Sequence, residues 1–448
     1  MTMANPDQDF VLKTIKSRDV HFVRCWFADM LGRLKSFAVI PNELEEAFEW
    51  GFGFDGHCIE GFDVKKNFAM RAYPDASTFQ ILPWRPESDA VARMFCSIRT
   101  AEGEPINSDP RNILKRVVDQ AAKKGYAFNV CPKPEFYYFK DSSGTEVLDH
   151  GGYFDLTSLD YASDLRRDTV LNLEMLGIPV MYSHHEQGPS QHEIDLRYSD
   201  ALSMADAVMT YKLVVKEIAM KNGVYASFMP KPLPDAPGSG MHVLQSLTDL
   251  EGVNLFYDGK AIEDNYLSQT AKHYIAGILK YAPELSVLTN QYVNSYKRFV
   301  CNNGAPCIIA WSYANRSTII RVPHFRPEKH EGCRIELCSP DPAANPYLVF
   351  AMLLAAGIKG IEDKLELPPC AEHTDFLGRS RRQIVEEGYS VLPANLGEAV
   401  ELFAASDFMR ETLGADVHAY IVKEKRNEWD SYLQHVSSWE LNRYLEVL

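Results

Sequence analysis

The chain has 448 residues, of which 46% are hydrophobic and 24% charged, and its formal net charge is −15. This length exceeds one ordinary hydrophobic core, so we expect two domains. The negative charge and the lack of a lysine- or arginine-rich run argue against a nucleic-acid or anionic-membrane surface. No signal-like apolar segment opens the sequence and the nine cysteines form no CxxC pair, so we expect a reduced, cytoplasmic compartment. The longest apolar stretch, residues 346–358, is too short to span a bilayer and predicts a buried helix.

Residues 1–104 predict a first domain built on a small mixed sheet. Residues 20–40, VHFVRCWFADMLGRLKSFAVI, predict two strands joined by a hairpin at Asp29–Gly32. NELEEAFEWG, residues 42–51, predicts a short helix with an asparagine cap and a terminal glycine. STFQILPW and ARMFCSI, at 77–84 and 92–98, predict further strands.

Residues 105–448 predict a larger α+β domain. It opens with an amphipathic helix in DPRNILKRVVDQAAKKGY, residues 109–126. Strands are predicted in MPKP at 229–232 and SGMHVLQSL at 239–247, and helices over 201–222 and 266–281. Near the end, Ser437 and Glu440 form the pattern of a capping box, which predicts a last helix in WELNRYL.

The segment CPKPEFYYF, residues 131–139, combines a strand pattern with charge. Alternation along a strand places Lys133 and Glu135 on one face. Pro132 and Pro134 remove backbone donors, which favours an edge strand or an irregular strand end. Burying a lysine beside a glutamate is costly, so this pair indicates a functional site.

Other short strands of the second domain carry further candidate metal ligands. Glu186 and Glu193 flank a Gly-Pro turn, His242 lies in GSGMHVLQSL, and Glu336 lies in CRIELCSP. Glutamate oxygens suit a hard divalent cation such as Mg²⁺ or Mn²⁺, and the histidine with a further glutamate suits a second ion nearby. Taken singly, a paired surface glutamate or a satisfied core histidine is the simpler interpretation, and only the joint pattern favours a metal site.

Three arginines extend this set. Arg298 lies in NSYKRFV, and Arg316 and Arg321 lie in ANRSTIIRVP. They suit surface salt bridges or a clamp on carboxylate and phosphate oxygens. Carboxylates, divalent ions and arginines together are what phosphoryl transfer from ATP to an acid requires. The sequence has no Walker-type glycine loop, so the nucleotide needs another kind of fold.

Several of these segments together resemble the prokaryotic type I glutamine synthetase family over nearly the full chain. The resemblance implies an N-terminal β-grasp domain and a catalytic domain whose curved antiparallel sheet forms the active-site barrel. It also implies ATP, Mg²⁺ or Mn²⁺, and two stacked hexameric rings whose active sites lie between neighbouring subunits and whose last helices lock the rings. The segments that carry it are FDGHCIEGF, PEF, HHEQGPSQHEID, FMPKPL, GSGMH, NSYKR, ANRS, IRVP and SPDPAANPYL.

The same resemblance implies roles for individual residues. Asp55 would help to deprotonate ammonium, and Arg316 would contact the phosphate being transferred. Arg298 and Gly238 would contact the amino-acid substrate. The first metal would be held by Glu135, Glu186 and Glu193, the second by His242 and Glu336, and the nucleotide by Tyr198, Ser246, Arg321 and Arg334.

The departures from the family pattern cluster around the amine and amino-acid pockets. Lys133 stands where the family has a glutamate ligand of the second metal, and Gly304 where a flap glutamate closes over the ammonium site. Cys338 replaces a substrate arginine, and Pro237 replaces an asparagine. Further departures are Met181 for a glutamate, Leu244 for a histidine, and His57 and Cys58 for a Ser-Ser pair.

Two functions of different class follow from these departures. The first is an ATP-dependent carboxylate–amine ligase, with a non-ammonia amine or an altered acid, in which Lys133 supplies the charge of the second metal while pairing with Glu336. The second is a catalytically impaired homologue with a regulatory or scaffolding role, in which the pair of Lys133 and Glu336 is an inert salt bridge.

Overall fold

A computed structural model describes residues 6–62, 69–262, 265–299, 305–325 and 327–448. The N-terminal part is a mixed sheet in the order β2-β1-β6-β4-β3, with β5 beside β6. Strands β1 and β2 are antiparallel, whereas β1 and β6 are parallel. The elements are α1 Pro6–Ser17, β1 Val20–Ala28, β2 Leu34–Val39, α2 Leu44–Trp50, β3 Phe52–Asp55, β4 Ala69–Pro74, β5 Gln80–Ile81 and β6 Ala90–Thr100.

The predicted hairpin at Asp29–Gly32 is confirmed. The Asp29 carboxylate accepts hydrogen bonds from the backbone N–H groups of Leu31 and Arg33, at 3.0 and 2.9 Å. Gly32 has φ +75°, a conformation that favours glycine. The strand predicted over 77–84 is wrong except for β5, because Asp75 caps a short 3-10 turn over Ala76–Thr78 instead.

The second part is built on a ten-stranded sheet in the order β18-β15-β16-β17-β12-β7-β9-β8, with β10 and β11 also paired to β7. Its pairs are antiparallel, as predicted, except β15 with β16, which are parallel. Helices cover the sheet, and β13 and β14 form a separate hairpin. The elements are α3 Pro110–Ala122, β7 Ala127–Phe139, α4 Ser163–Met175, β8 Val180–His185, β9 Gln191–Leu196, β10 Ser199–Asp200, α5 Ala201–Lys221, β11 Tyr225–Ser227, β12 Met241–Thr248, β13 Tyr257–Ile262, β14 Asn265–Leu267, α6 Gln269–Thr289, β15 Ile308–Ser312, β16 Thr318–Arg321, β17 Ile335–Leu337, α7 Pro346–Glu362, α8 Arg381–Glu386, β18 Ser390–Val391, α9 Leu396–Ala404, α10 Asp407–Leu413, α11 Ala415–Leu433 and α12 Ser438–Tyr444.

Strand β7 is central in this sheet, so the edge position predicted for it is wrong. It pairs with β12 over residues 127–134 and with β9 over 135–137. The Glu135 N–H donates to the Gly240 carbonyl next to β12, so the nitrogens of Pro132 and Pro134 point to the opposite side. On that side β10 ends its pairing at Val130 and β9 begins at Glu135. The two prolines therefore occupy a gap in which no strand needs their missing donors.

The helical predictions hold, apart from the bounds of α6, and one predicted strand nearby is wrong. Helix α7 is almost wholly buried, as its apolar sequence predicts, and Ser437 with Glu440 forms the predicted capping box of α12. MPKP is not a strand, because the short strand β11 ends before it. Helix α6 begins later and ends later than predicted, since Ser268 caps its start and residues 265–267 form β14. None of the described helices is long and apolar enough to cross a membrane.

Candidate active site

Three largely buried glutamates meet beside β7, which we call the glutamate group: Glu135, Glu186 and Glu193. Glu193 on β9 lies between two direct cross-strand neighbours. These are Glu135 on β7 and His184 on β8. Glu186 follows β8 and turns back, so its Oε1 lies 2.8 Å from His184 Nε2. One ligand atom each from His184, Glu186 and Glu193 lies within 4.8 Å of the others. Strand register therefore brings together the residues predicted for the first metal.

The glutamate group has no paired counter-charge among the described residues, and the charges of Lys133 and Arg298 act on Glu193 and Glu135 without forming an ion pair. Glu135 Oε2 accepts hydrogen bonds from Gly240 N at 2.8 Å and Gln191 Nε2 at 3.1 Å, both neutral donors. Burial, and then the charge of Glu186, raises the pKa of Glu135 to about 8, and burial with the Asp195 charge raises the pKa of Glu193. Among the described residues, no lysine or arginine forms an ion pair with the three glutamates. Oxygen donors crowded in this way fit a hard divalent cation, and the imidazole of His184 is also compatible with Mn²⁺.

The other predicted metal ligands, His242 and Glu336, form a second group together with Cys338, which we call the histidine group. His242 Nδ1 lies 3.2 Å from Glu336 Oε1. Arg321 is the cross-strand neighbour of Glu336, and its Nη2 lies 3.0 Å from Glu336 Oε2. Burial opposes ionisation of Glu336, but His242, Arg321 and Lys133 outweigh it and lower the pKa of Glu336 to about 2. The carboxylate in this group is therefore already neutralised by protein cations.

Lys133 lies on β7 directly opposite His242 on β12. Its Nζ is 3.0 Å from Asp195 Oδ2 and 3.3 Å from the Tyr182 hydroxyl. The predicted partner Glu336 is thus wrong, because the register of β7 and β9 brings Asp195 to the lysine while Arg321 pairs with Glu336. Burial would lower the pKa of Lys133, but Asp195, Glu193 and Glu336 together raise it, so the lysine remains charged.

A cleft of about 340 Å³ lies between the N-terminal end of β7 and the C-terminal end of β12. It contains three of the four residues predicted for the nucleotide: Tyr198, Ser246 and Arg334. Tyr198 is 65% exposed, so its ring is free to stack against a planar group. The fourth residue, Arg321, does not line this cleft and lies instead in the histidine group.

Arg298 is buried beneath the loop that precedes β12. Its Nη1 donates to the Ser339 carbonyl at 2.9 Å, whereas its Nε has no partner. A Cβ at Gly238 would lie 2.6 Å from Arg298 Cγ and 2.8 Å from the Pro230 carbonyl oxygen, so that position needs glycine, and a Cβ at Gly240 would lie 3.0 Å from Arg298 Nη2. The Pro237 carbonyl accepts from Tyr137 at 2.6 Å and fixes this loop above β7. Buried Cys338 accepts from Arg321 Nε at 3.1 Å.

The two residues predicted to be catalytic are not brought to the glutamate group within one chain. Asp55 is exposed at the end of β3 and accepts a hydrogen bond from His57 N at 2.9 Å. Arg316 lies in the exposed loop between β15 and β16. In the described structure neither forms a hydrogen bond or an ion pair with the three glutamates. Gly304 lies outside the described residues.

Several site residues escaped the sequence analysis. His184 was present in the HHE motif, but only the pairing of β8 with β9 reveals its place in the glutamate group. The rings of Tyr153 and Phe154 stack at 4.1 Å, more than half exposed, and both contact the His184 ring edge-on at 5.3 and 4.9 Å. Their GGYF motif carries no charge pattern, so nothing in the sequence marked them.

Comparisons with known proteins agree with this geometry. The model of the glutamine synthetase β-grasp domain matches residues 19–101, and that of the glutamine synthetase catalytic domain matches residues 107–444. Glutamine synthetase from Mycolicibacterium smegmatis is 46% identical over 98% of this chain and 99% of its own, and that from Methanosarcina mazei 47% identical over 98% and 97%. A solved structure described as a GmaS/ADP complex is 28% identical with a TM-score of 0.85, covering 97% of this chain and 99% of its own.

The two matched domains account for the sheet that carries the glutamate group and for the mixed sheet before it. Three relatives from bacteria and archaea are 42–47% identical to this chain over 97–98% of its length, which shows that they belong to one family. The chain therefore belongs to the glutamine synthetase family of ATP-dependent ligases.

Proposed function

We propose that the chain joins glutamate or a related carboxylic acid to an amine other than ammonia, through an acyl phosphate made from ATP. One observation carries this: the cleft with Tyr198, Ser246 and Arg334 and the glutamate group lie along the same strand, β7. Cys131 lines the cleft, and Glu135 follows four residues later, about 13 Å along a strand. A nucleotide base in the cleft could therefore direct its phosphates toward the glutamates.

Mg²⁺ or Mn²⁺ is the cofactor that fits the glutamate group. Glu135, Glu186 and Glu193 would hold it, because their buried carboxylates have no lysine or arginine partner among the described residues. When bound, the ion would supply positive charge to the phosphate oxygens during transfer. The GmaS structure described with ADP supports a nucleotide site in this fold.

The protein's own groups would order the reaction. Arg298 would hold the acid through its guanidinium group, whose Nε has no partner in the described structure. An oxygen of the reacting carboxylate attacks the γ-phosphorus and ADP leaves. The amine nitrogen then attacks the acyl carbon, the bond from that carbon to the phosphate oxygen breaks, and Asp55 of a neighbouring subunit in the proposed ring takes the amine proton.

The choice of substrates rests on two features, one for the acid and one for the amine. Cys338 is buried and uncharged where the family resemblance implies a substrate arginine, which leaves fewer charge-assisted bonds to an ordinary glutamate. Tyr153 and Phe154 present exposed aromatic faces beside the glutamate group. Aromatic faces attract organic ammonium groups through cation–π interactions, and so favour an alkylated amine.

We also propose that the chain works as stacked hexameric rings. The exposed C-terminal segment would join the two rings, and its removal tests the proposal. Helix α12 buries none of its residues within one chain, and Trp439, Leu445 and Val447 are each more than 60% exposed. Such a run of apolar side chains suits an interface between subunits. Removing residues 436–448 should halve the mass measured by light scattering, and an unchanged mass would contradict this arrangement.

The function is tested by phosphate release from purified protein with ATP, Mg²⁺ or Mn²⁺, and a matrix of acids and amines. We expect release that requires one acid together with one organic amine, and little release with ammonium. Release with glutamate and ammonium alone would establish ordinary glutamine synthesis instead. Silence across the matrix, with ADP still bound in calorimetry, would favour the catalytically impaired homologue.

A further inference from the structure

The glutamate group and the histidine group differ in the protein cations that surround them. Glu135, Glu186 and Glu193 bring three carboxyl groups together, and the described structure shows no lysine or arginine in an ion pair with any of them. Around the histidine group, the acidic residues Glu336 and Asp195 are matched by Arg321 and Lys133. The carboxylates of the first group, once ionised, have no paired protein cation, whereas those around the second are already paired.

Lys133 is held in a fixed place between the two groups. On one side its neighbour across the strands is His242, and on the other the Asp195 carboxylate lies 3.0 Å from its Nζ. The Tyr182 hydroxyl lies 3.3 Å from the same nitrogen, and the Tyr182 ring centroid 5.7 Å from it. Asp195 is fully buried and Lys133 is mostly buried. A lysine with these contacts is an ordered internal cation rather than a mobile surface side chain.

A divalent ion in the histidine group would meet strong repulsion. Arg321 Nη2 lies 3.0 Å from one Glu336 oxygen and 3.3 Å from His242 Nδ1, so the arginine already occupies the ligand atoms. The third candidate ligand, Cys338, is buried, and its sulfur accepts a hydrogen bond from Arg321 Nε at 3.1 Å. Binding an ion there would break these contacts and place it beside two fixed positive charges.

We propose that Lys133, positioned by Asp195 and Tyr182, is a permanent protein cation that replaces a divalent ion at the histidine group, so that the chain binds its catalytic divalent ion at the glutamate group alone. The inference rests on the proposed function of the glutamate group as a metal site. Lys133 supplies one positive charge that does not dissociate, and it projects three N–H donors toward the space between the groups.

Counting bound Mn²⁺ per chain tests the proposal without any measurement of activity. Nucleotide-free protein is titrated with Mn²⁺ while the electron paramagnetic resonance signal of the free ion is followed. We expect one tight ion for the wild type and for Lys133→Arg, and two for Lys133→Glu, which removes the cation and adds a carboxylate opposite His242. Lys140→Glu is the matched control, because it makes the same change just past β7 on an exposed lysine, and it should bind one.

The outcomes separate this inference from the proposed function. Two tight ions in the wild type, or a count in a folded Lys133→Glu variant that equals the wild type, would overturn the role of Lys133. Should Lys133→Glu fail to fold by circular dichroism, the wild-type and Lys133→Arg counts still decide. A wild type that binds no tight ion would instead defeat the proposed metal role of the glutamate group, as would a Glu193→Gln variant with undiminished binding.

Discussion

Glu135 on β7 and Glu193 on β9 are direct cross-strand neighbours, and both are raised in pKa by burial and by nearby carboxylates. Like charges opposite each other destabilise a sheet. The pairing therefore identifies a place where the fold gives up stability, as the proposed cation site would require.

Replacing Glu193 with glutamine tests whether the opposed carboxyl groups lower the stability of the metal-free protein. Glu193→Gln removes one charge from the buried cluster, so we expect the melting temperature of the metal-free protein to rise. Mn²⁺ affinity should fall by at least about tenfold, because losing even an indirect metal contact commonly costs that much. Calorimetric melting with and without Mn²⁺ measures both effects. Glu146→Gln, at an exposed glutamate paired with Lys140, should change neither.

The pKa of Glu135 predicts how stability depends on pH. Its folded-state pKa is about 8, against an ordinary value of 4.5. Between these values the folded chain retains a proton that the unfolded chain has lost, so the free energy of unfolding of the metal-free protein falls as pH rises, and levels off above about 8. Mn²⁺ replaces that proton, so it should raise the melting temperature more at pH about 8.5 than at about 5.5.

A Glu135→Gln variant provides the control for this pH effect. Without the titrating carboxyl, the metal-free melting temperature should vary less between those two pH values. Equal stabilisation of the wild type by Mn²⁺ at both would contradict proton competition in the glutamate group.

How far the sequence predicts the molecule depends on whether the information is local or lies in strand register. The hairpin at Asp29–Gly32 and the capping box at Ser437 are local patterns, and both are confirmed. The grouping of Glu135 with Glu193 depends on β7 and β9 pairing, which only the family resemblance could anticipate. The predicted partner of Lys133, Glu336, is wrong. No local pattern reveals that β9 brings Asp195 to Lys133 while β16 brings Arg321 to Glu336.

Tyr198 tests the nucleotide cleft. Tyr198→Ala removes the exposed ring at the cleft, and stacking on an aromatic side chain contributes about 1–3 kcal/mol for each base. We expect ADP affinity, measured by isothermal titration calorimetry, to fall by about fivefold to a hundredfold. Tyr225→Ala, at a tyrosine 45% exposed outside that cleft, should bind ADP as the wild type does. Undiminished ADP binding in Tyr198→Ala would place the base elsewhere.

Arg298 tests the acid site. Arg298→Lys keeps the charge but removes the planar fork of donors, and a charge-assisted hydrogen bond contributes about 1.5–3 kcal/mol. We expect the KM for the acid to rise by about tenfold to a hundredfold, with the KM for ATP little changed. Arg167→Lys, at an exposed arginine beside Asp168, is the matched control. A rise in the KM for ATP alone would assign Arg298 to the nucleotide instead.

The central claim is that an acyl phosphate links ATP cleavage to amide formation, and isotope transfer tests it most directly. The acid that supports turnover is labelled with ¹⁸O in its reacting carboxylate, and the released phosphate is examined by mass spectrometry. The account predicts one ¹⁸O atom in each phosphate, because the carboxylate oxygen that attacks phosphorus leaves with it. Phosphate that is released in the presence of acid and amine but carries no ¹⁸O would contradict the account.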